Sequence, residues 1–142
     1  PYYRQEPTAI DLAAVFADPT RPLHLDIGCA RGRFILRMAE AEPEWNFLGV
    51  EIREPLVDEA NRLAAEAGLT NLHYAFCNAM LFLGPLLADI PDHILQMVTI
   101  QFPDPWFKKK HAKILICGQT RFGIYRKPNR TKRQKPNLLQ FV

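Results

Sequence analysis

Leu23-His24-Leu25-Asp26-Ile27-Gly28-Cys29-Ala30-Arg31-Gly32 sets the fold of this 142-residue chain. An apolar run entered through Arg21-Pro22 and left through a glycine has the pattern of a buried strand, expected over 23–28. The small residues Gly28, Ala30 and Gly32 then alternate, leaving the backbone free to turn sharply and to pass close to a ligand. Beyond them Phe34, Ile35, Met38 and Ala39 recur at helical spacing until Pro43 stops the pattern. A helix whose first N–H groups face such a turn makes a nucleotide-binding loop. The plainer reading is a tight strand-to-helix turn that binds nothing.

On both sides of this stretch, strands and helices alternate. A second strand is expected over 45–51, then a helix beginning near Pro55 with Leu56, Ala60, Leu63, Ala64 and Ala67 on one face and Gly68 as its stop. Leu72 to Phe76 forms a third strand, Met80 to Ala88 a short helix and Leu95 to Phe102 a fourth strand. Upstream, Ile10 to Phe16 predicts a short lid or edge helix ended by Asp18-Pro19-Thr20. Strict alternation implies an α/β domain: a parallel sheet with helices on both faces and ligands at the carboxyl ends of the strands. After Phe107 the pattern fails. Residues 114–118 could add one strand, but 127–137 is Pro, Lys, Arg and Asn without apolar period. The expected division is a Rossmann-like domain over 1–113 and a divergent basic tail over 114–142, largely disordered.

Composition sets outer limits. At 48% hydrophobic residues and this length, one domain is expected, and no apolar run approaches the roughly 20 residues of a membrane-spanning helix. A soluble protein without a membrane partner follows. The chain opens on Pro1 with no charged and then apolar leader, which predicts an excised or processed piece lacking a signal peptide. Cys29, Cys77 and Cys117 form neither an even set nor a Cys-x-x-Cys pair, pointing to a reducing, intracellular setting: cytoplasm, nucleus or plastid. His24, His73, His93 and His111 lack metal-ligand spacing, so they are expected to be structural or surface groups and no metal is expected. Residues 1–107 carry 15 acids and 7 bases, a net −8, whereas residues 108–142 carry 11 bases and no acid. That segment is either a footprint for a phosphate-bearing partner or a polycationic tail.

The acids at the strand ends carry the chemistry. Asp26 ends strand one beside the loop, and Glu51 ends strand two 25 residues later, where Rossmann-like folds present a carboxylate to two ribose hydroxyls. After strand three, Asn78-Ala79 offers an amide to an adenine edge and room for its plane, or a turn residue. The spacing Gly28-x-Ala30-x-Gly32 is not the pyrophosphate loop Gly-x-Gly-x-x-Gly, and Asp26 would repel a phosphate. S-adenosyl-L-methionine carries an ammonium and a sulfonium and no phosphate, so it is the preferred cofactor over a nicotinamide dinucleotide.

Phe102-Pro103-Asp104-Pro105-Trp106 stands where the fourth strand must end, followed by Lys108-Lys109-Lys110-His111. Two prolines fix the backbone around Asp104 and stop the ladder. With Asp26-Ile27-Gly28, Gly49-Val50-Glu51-Ile52-Arg53 and Asn78-Ala79, this element resembles the tRNA (guanine-N7)-methyltransferase family over residues 7–113. Pro22 to Asp26 and Asn61 resemble its plant and cyanobacterial branch. The resemblance implies a class I S-adenosyl-L-methionine-dependent methyltransferase fold and methyl transfer to N7 of a guanine in tRNA. By position it implies Asp26, Gly28, Gly32, Glu51, Asn78 and Ala79 as donor-binding residues, Asp104 as catalytic and donor-side acid, and Trp106 and Lys108 as substrate contacts.

After Lys113 the sequence departs from the family pattern, so the C-terminal strands are expected to be missing or divergent. A sheet carried only to its fourth strand would leave a bare edge and low stability. A binding module that holds donor and RNA without turnover is the alternative. An amino-group methylase is disfavoured by the order of residues in Phe102 to Trp106, and a partner subunit or homo-oligomer stays open.

Overall fold

The computed structural model describes residues 4–100 in full and the backbone of 123–125 and 138–140. In chain order the elements are α1 Leu12–Val15, β1 Leu23–Ile27, α2 Arg33–Ala41, β2 Asn46–Glu51, α3 Glu54–Glu66, β3 Leu72–Phe76, α4 Ala79–Leu87, β4 Leu95–Ile100, β5 Gly123–Tyr125 and β6 Leu138–Gln140. The strand order is β3-β2-β1-β4-β5-β6, parallel throughout except for β6. Crossovers run outward from β1 to β3 and then return to β4, so the direction of winding reverses between β1 and β4. In open α/β sheets that reversal opens a crevice outside the carboxyl ends of the strands.

Both faces of the sheet are covered, as the alternating pattern requires. Leu23, Leu25 and Ile27 of β1 point to one side and pack with Leu48, Val50, Val98, Leu83, Leu86 and the α1 segment. On the other side Ile35 and Ala39 of α2 and Val57, Ala60 and Ala64 of α3 close over Phe47, Leu72 and Tyr74. The α2 apolar face is the one its periodicity predicts, and the helix stops at Ala41, two residues before Pro43. The α3 face is turned slightly from expectation: Val57 is buried, whereas Leu63 is 37% exposed and Ala67 lies outside the helix. Small alanines suffice at Ala60 and Ala64 because α3 rides close on β3.

Two local expectations are refined. α1 is a single turn capped by the Asp11 side chain, and its Ile10, Leu12 and Phe16 are core residues. Ile10 N–H also donates to Leu86 O at 2.9 Å, so this segment is sewn to α4 rather than standing as a lid. α4 carries Pro85 inside it and bends at Phe82, where φ is −128°. The proline ring cannot pass the carbonyl one turn earlier without such a break.

Beyond β4, β5 pairs in parallel at Val98 and Thr99, and β6 runs antiparallel to β5. The outer edge of β4 is therefore paired there, where a bare edge was expected. The remainder of 101–142, including the possible strand at 114–118 and the tail 127–137, lies outside the described residues. Among the described residues no helix is long and apolar enough to cross a membrane.

Candidate functional site

The loop between β1 and α2 takes three left-handed steps. φ is +70° at Gly28, +53° at Ala30 and +69° at Gly32, so the alternate small residues stand where the chain turns against its usual hand. Glycine adopts this region freely and alanine only under strain. The strain at Ala30 is offset by a charged acceptor: its N–H donates to Glu51 Oε2 at 2.8 Å. Gly28 N–H and Cys29 N–H both donate to Val50 O, tying the loop to the end of β2.

One row across the sheet underlies the loop. Register places Tyr74, Gly49, Asp26 and Thr99 side by side on β3, β2, β1 and β4. Gly49 has no side chain, and the Tyr74 ring fills that space: a Cβ on Gly49 would lie 2.6 Å from Tyr74 Cδ1. The ring reaches the loop, where its hydroxyl donates to Gly32 O at 2.7 Å. A Cβ on Gly32 would in turn lie 2.6 Å from Tyr74 Cζ. Two glycines and one tyrosine thus make a single fitted unit beneath the turn.

Asp26 sits at the reversal of winding and is only 1% exposed. Its Oδ1 accepts the Thr99 hydroxyl at 2.6 Å, while its Oδ2 has no partner among the described residues. Burial pushes its pKa up to about 6, opposed by the Thr99 bond. A carboxylate with one satisfied and one unpartnered oxygen keeps an acceptor for a cationic or donor group. His24 Nε2 lies 2.9 Å from Thr99 Oγ1, and burial presses its pKa down to about 4, so the imidazole is neutral.

Glu51, 5% exposed, is heavily engaged. Its Oε1 accepts from Ile52 N–H, Arg53 N–H and Arg53 Nε at 3.0–3.1 Å. Burial works to raise its pKa, but the hydrogen bonds and charge of Arg53, with the Ala30 N–H of the loop, outweigh it and hold the carboxyl below its ordinary value. Asn78 caps α4, its Oδ1 accepting Met80 N–H at 3.1 Å. That leaves its amide N–H groups for a ring-nitrogen acceptor. Burial, with the charges of Asp26 and Glu51, raises the Cys29 thiol far above its ordinary value, so it is no nucleophile.

Asp26, Gly28, Gly32, Glu51, Asn78 and Ala79 therefore come together at the carboxyl ends of β1, β2 and β3. Asp104, Trp106 and Lys108 fall outside the described residues. Sequence reasoning missed Tyr74 and Thr99 and left His24 without a specific role. A glycine in mid-strand at Gly49 was the one available signal that a large group passes there. A cavity of about 480 Å³ lies elsewhere, lined in part by Pro19, Thr20, His93 and Ile94, which precede β1 and β4, and by none of the residues above. No group of three or more His, Cys, Asp or Glu among the described residues could hold a metal ion.

Residues 20–127 match a family model described as "Putative methyltransferase". The chain belongs to this methyltransferase family. The match runs past Lys113, where the resemblance read from the residues ends. The chain is similar to the tRNA (guanine-N(7)-)-methyltransferase of Synechococcus elongatus, 69% identical over 103 residues, covering 72% of this chain and 48% of that protein. The protein of the same name from Synechocystis sp. is 57% identical over 111 residues, 78% of this chain and 52% of the relative. The chain spans about half the length of the curated relatives it matches. Among solved structures, the antibiotic-resistance methyltransferase Kmr aligns with a TM-score of 0.59 at 18% identity, over 91% of this chain and 72% of that one. An RNA methyltransferase from Salinibacter ruber, in complex with S-adenosyl-L-homocysteine, aligns at 0.57 and 21% identity, over 85% and 74%. The fold is thus the Rossmann-like fold of the class I methyltransferases, with divergent short strands after β4.

Proposed function

We propose that this chain is an S-adenosyl-L-methionine-dependent tRNA (guanine-N7)-methyltransferase that holds its methyl donor over the β1–α2 loop. The observation that supports this most is the 69% identity to proteins of that activity, within a family match that contains the loop, both acids and Asn78. The buried orphan Asp26 Oδ2 fits the cofactor independently, because it supplies an acceptor to an ammonium group and would repel a phosphate.

When bound, S-adenosyl-L-methionine supplies a methyl group on a sulfonium sulfur. Asp26 would accept its ammonium, Glu51 a ribose hydroxyl, and Asn78 would donate to an adenine nitrogen beside the small Ala79. Gly28, where an added Cβ would meet open space, would let the ligand approach the backbone closely, and Gly32 would serve by seating the Tyr74 ring beneath the loop. N7 of guanine bears an in-plane lone pair, so the chain need not remove a proton before attack; it needs to position the purine. Asp104 suits that role, since its charge favours the purine cation that methylation creates. Trp106 would stack on a displaced base, and Lys108 would hold a phosphate.

Incubating the purified chain with labelled donor and a tRNA transcript, then digesting to nucleosides, tests the reading. Label is expected in N7-methylguanosine, and Asp104→Asn is expected to lower its formation roughly 10²-fold or more. Label in another nucleoside would assign a different substrate. Failure to transfer by a chain that still binds S-adenosylhomocysteine would leave only a binding module.

A further inference from the structure

Thr99 is the group that fixes Asp26, and it is itself fixed from behind. Its hydroxyl has a single proton. With Asp26 ionised, that proton is donated to Oδ1 at 2.6 Å, so the contact with His24 Nε2 at 2.9 Å must be one in which the imidazole donates. All three side chains are almost wholly buried. His24 is held in turn by aromatic neighbours, its ring edge-on to Phe34 with centroids 6.2 Å apart and tilted against Phe47 at 5.3 Å.

We infer that Thr99 and His24 are positioning residues for the methyl donor, forming a relay that occupies Asp26 Oδ1 internally and leaves Oδ2 as the one oxygen presented to the ligand's ammonium. This rests on the donor-site reading above and adds to it two residues that no ligand touches. Free rotation about the carboxyl would let either oxygen meet the donor; the Thr99 bond removes that freedom before the ligand arrives. The hydroxyl also favours the ionised form that an ammonium needs. If Asp26 takes up a proton, the relay can reverse, with Asp26 donating to Thr99 and Thr99 to Nε2, so the His24 tautomer follows the charge on Asp26.

The other titratable groups facing Asp26 among the described residues stay constant near neutrality. Glu51, paired with Arg53, is held ionised, while Cys29 and the Tyr74 hydroxyl are both pushed upward by burial and remain neutral. A pH dependence centred near 6 therefore belongs to Asp26 and its relay.

Titration of S-adenosylhomocysteine into the native chain, Thr99→Ser and Thr99→Val from pH 5 to pH 8.5 tests this. Native affinity should rise with pH through an inflection near 6 and level off by about pH 7. Thr99→Val should move the inflection upward by about one unit, weakening binding roughly five-fold at pH 6, approaching ten-fold at pH 5 and little at pH 8.5, and Thr99→Ser should restore the native profile. A loss equal at every pH, or no loss, overturns the proposal. Nitrogen NMR of His24 in the native chain is the second measurement and does not depend on a variant folding. Nε2 should carry the proton above pH 6 and respond as Asp26 titrates, and a tautomer indifferent to that titration overturns the relay. If the relay responds but the native chain binds no S-adenosylhomocysteine, the donor reading fails and the positioning role fails with it.

Discussion

At the scale of single residues, the fit of Tyr74 between Gly32 and Gly49 makes the sharpest demands. Gly32→Ala would add a Cβ against the Tyr74 ring at a left-handed position, and should cost more than about 2 kcal/mol in urea unfolding. Tyr74→Phe removes only the hydroxyl bond to Gly32 O and should cost about 1 kcal/mol. Asp26 and His24 make a paired prediction about pH. The Asp26 pKa is raised from 3.8 to about 6, so ionisation burdens the folded state above pH 6 and the burden is relieved as pH falls toward 3.8. The His24 pKa is lowered from 6.5 to about 4, so its contribution is lost as pH falls through the same window. The two nearly cancel in the native chain. Asp26→Asn should therefore be more stable than native by up to about 2–3 kcal/mol at pH 7.5, with the advantage gone by pH 3.5 in denaturant titrations. A constant difference at all pH values would contradict this. The places of Asp26, Gly28, Ala30, Gly32 and Glu51 were legible because residue type alone points to them, an acid at a strand end or a small residue where the chain turns. Tyr74 and Thr99 were not, because their significance lies in cross-sheet register, which no local pattern contains.

At the scale of elements, α3 does more than cover the sheet. β3 is the outer strand, and edge strands leave N–H and C=O groups facing solvent. Asn61 on α3 reaches down and takes both groups of Tyr74: its Oδ1 accepts Tyr74 N–H at 3.0 Å and its Nδ2 donates to Tyr74 O at 2.8 Å. The side chain thereby imitates a neighbouring strand at the residue that supports the β1–α2 loop. Asn61→Ala should destabilise the chain by about 1–3 kcal/mol and accelerate amide exchange at Tyr74, while Asn61→Asp should be no better, since it keeps the acceptor but turns the donor into a second acceptor. Unchanged exchange would show that the edge is protected otherwise. The order and type of the elements from β1 to β4 were readable because periodicity and Pro/Gly punctuation agree there. The phase of α3 was less so: Leu63 is the larger apolar residue, but Ala60, Asn61 and Ala64 are the ones small or polar enough to meet β3 closely.

For the whole molecule, charge and sheet topology divide the labour. The acidic part of the chain, net −8 over residues 1–107, contains the loop and its acids, and on the proposed reading the 11 bases of 108–142 would supply the charge an RNA requires. Raising salt from 50 to 200 mM should weaken tRNA binding at least ten-fold and leave S-adenosylhomocysteine binding nearly unchanged, as read by parallel titrations. Topology was predictable up to β4, since alternation dictates parallel crossovers. The pairing of β5 along Val98 and Thr99 was not, because three-residue strands in a basic segment carry no periodic signature. Whether the β1–α2 loop and its acids hold the methyl donor is read most directly by an amide NMR titration of the native chain with S-adenosylhomocysteine at pH 7.5. Saturable shifts are expected at Gly28, Ala30, Gly32, Glu51 and Asn78. Shifts confined to Thr20, His93 and Ile94 around the cavity before β1 and β4, or none at all, would contradict a donor site at the loop.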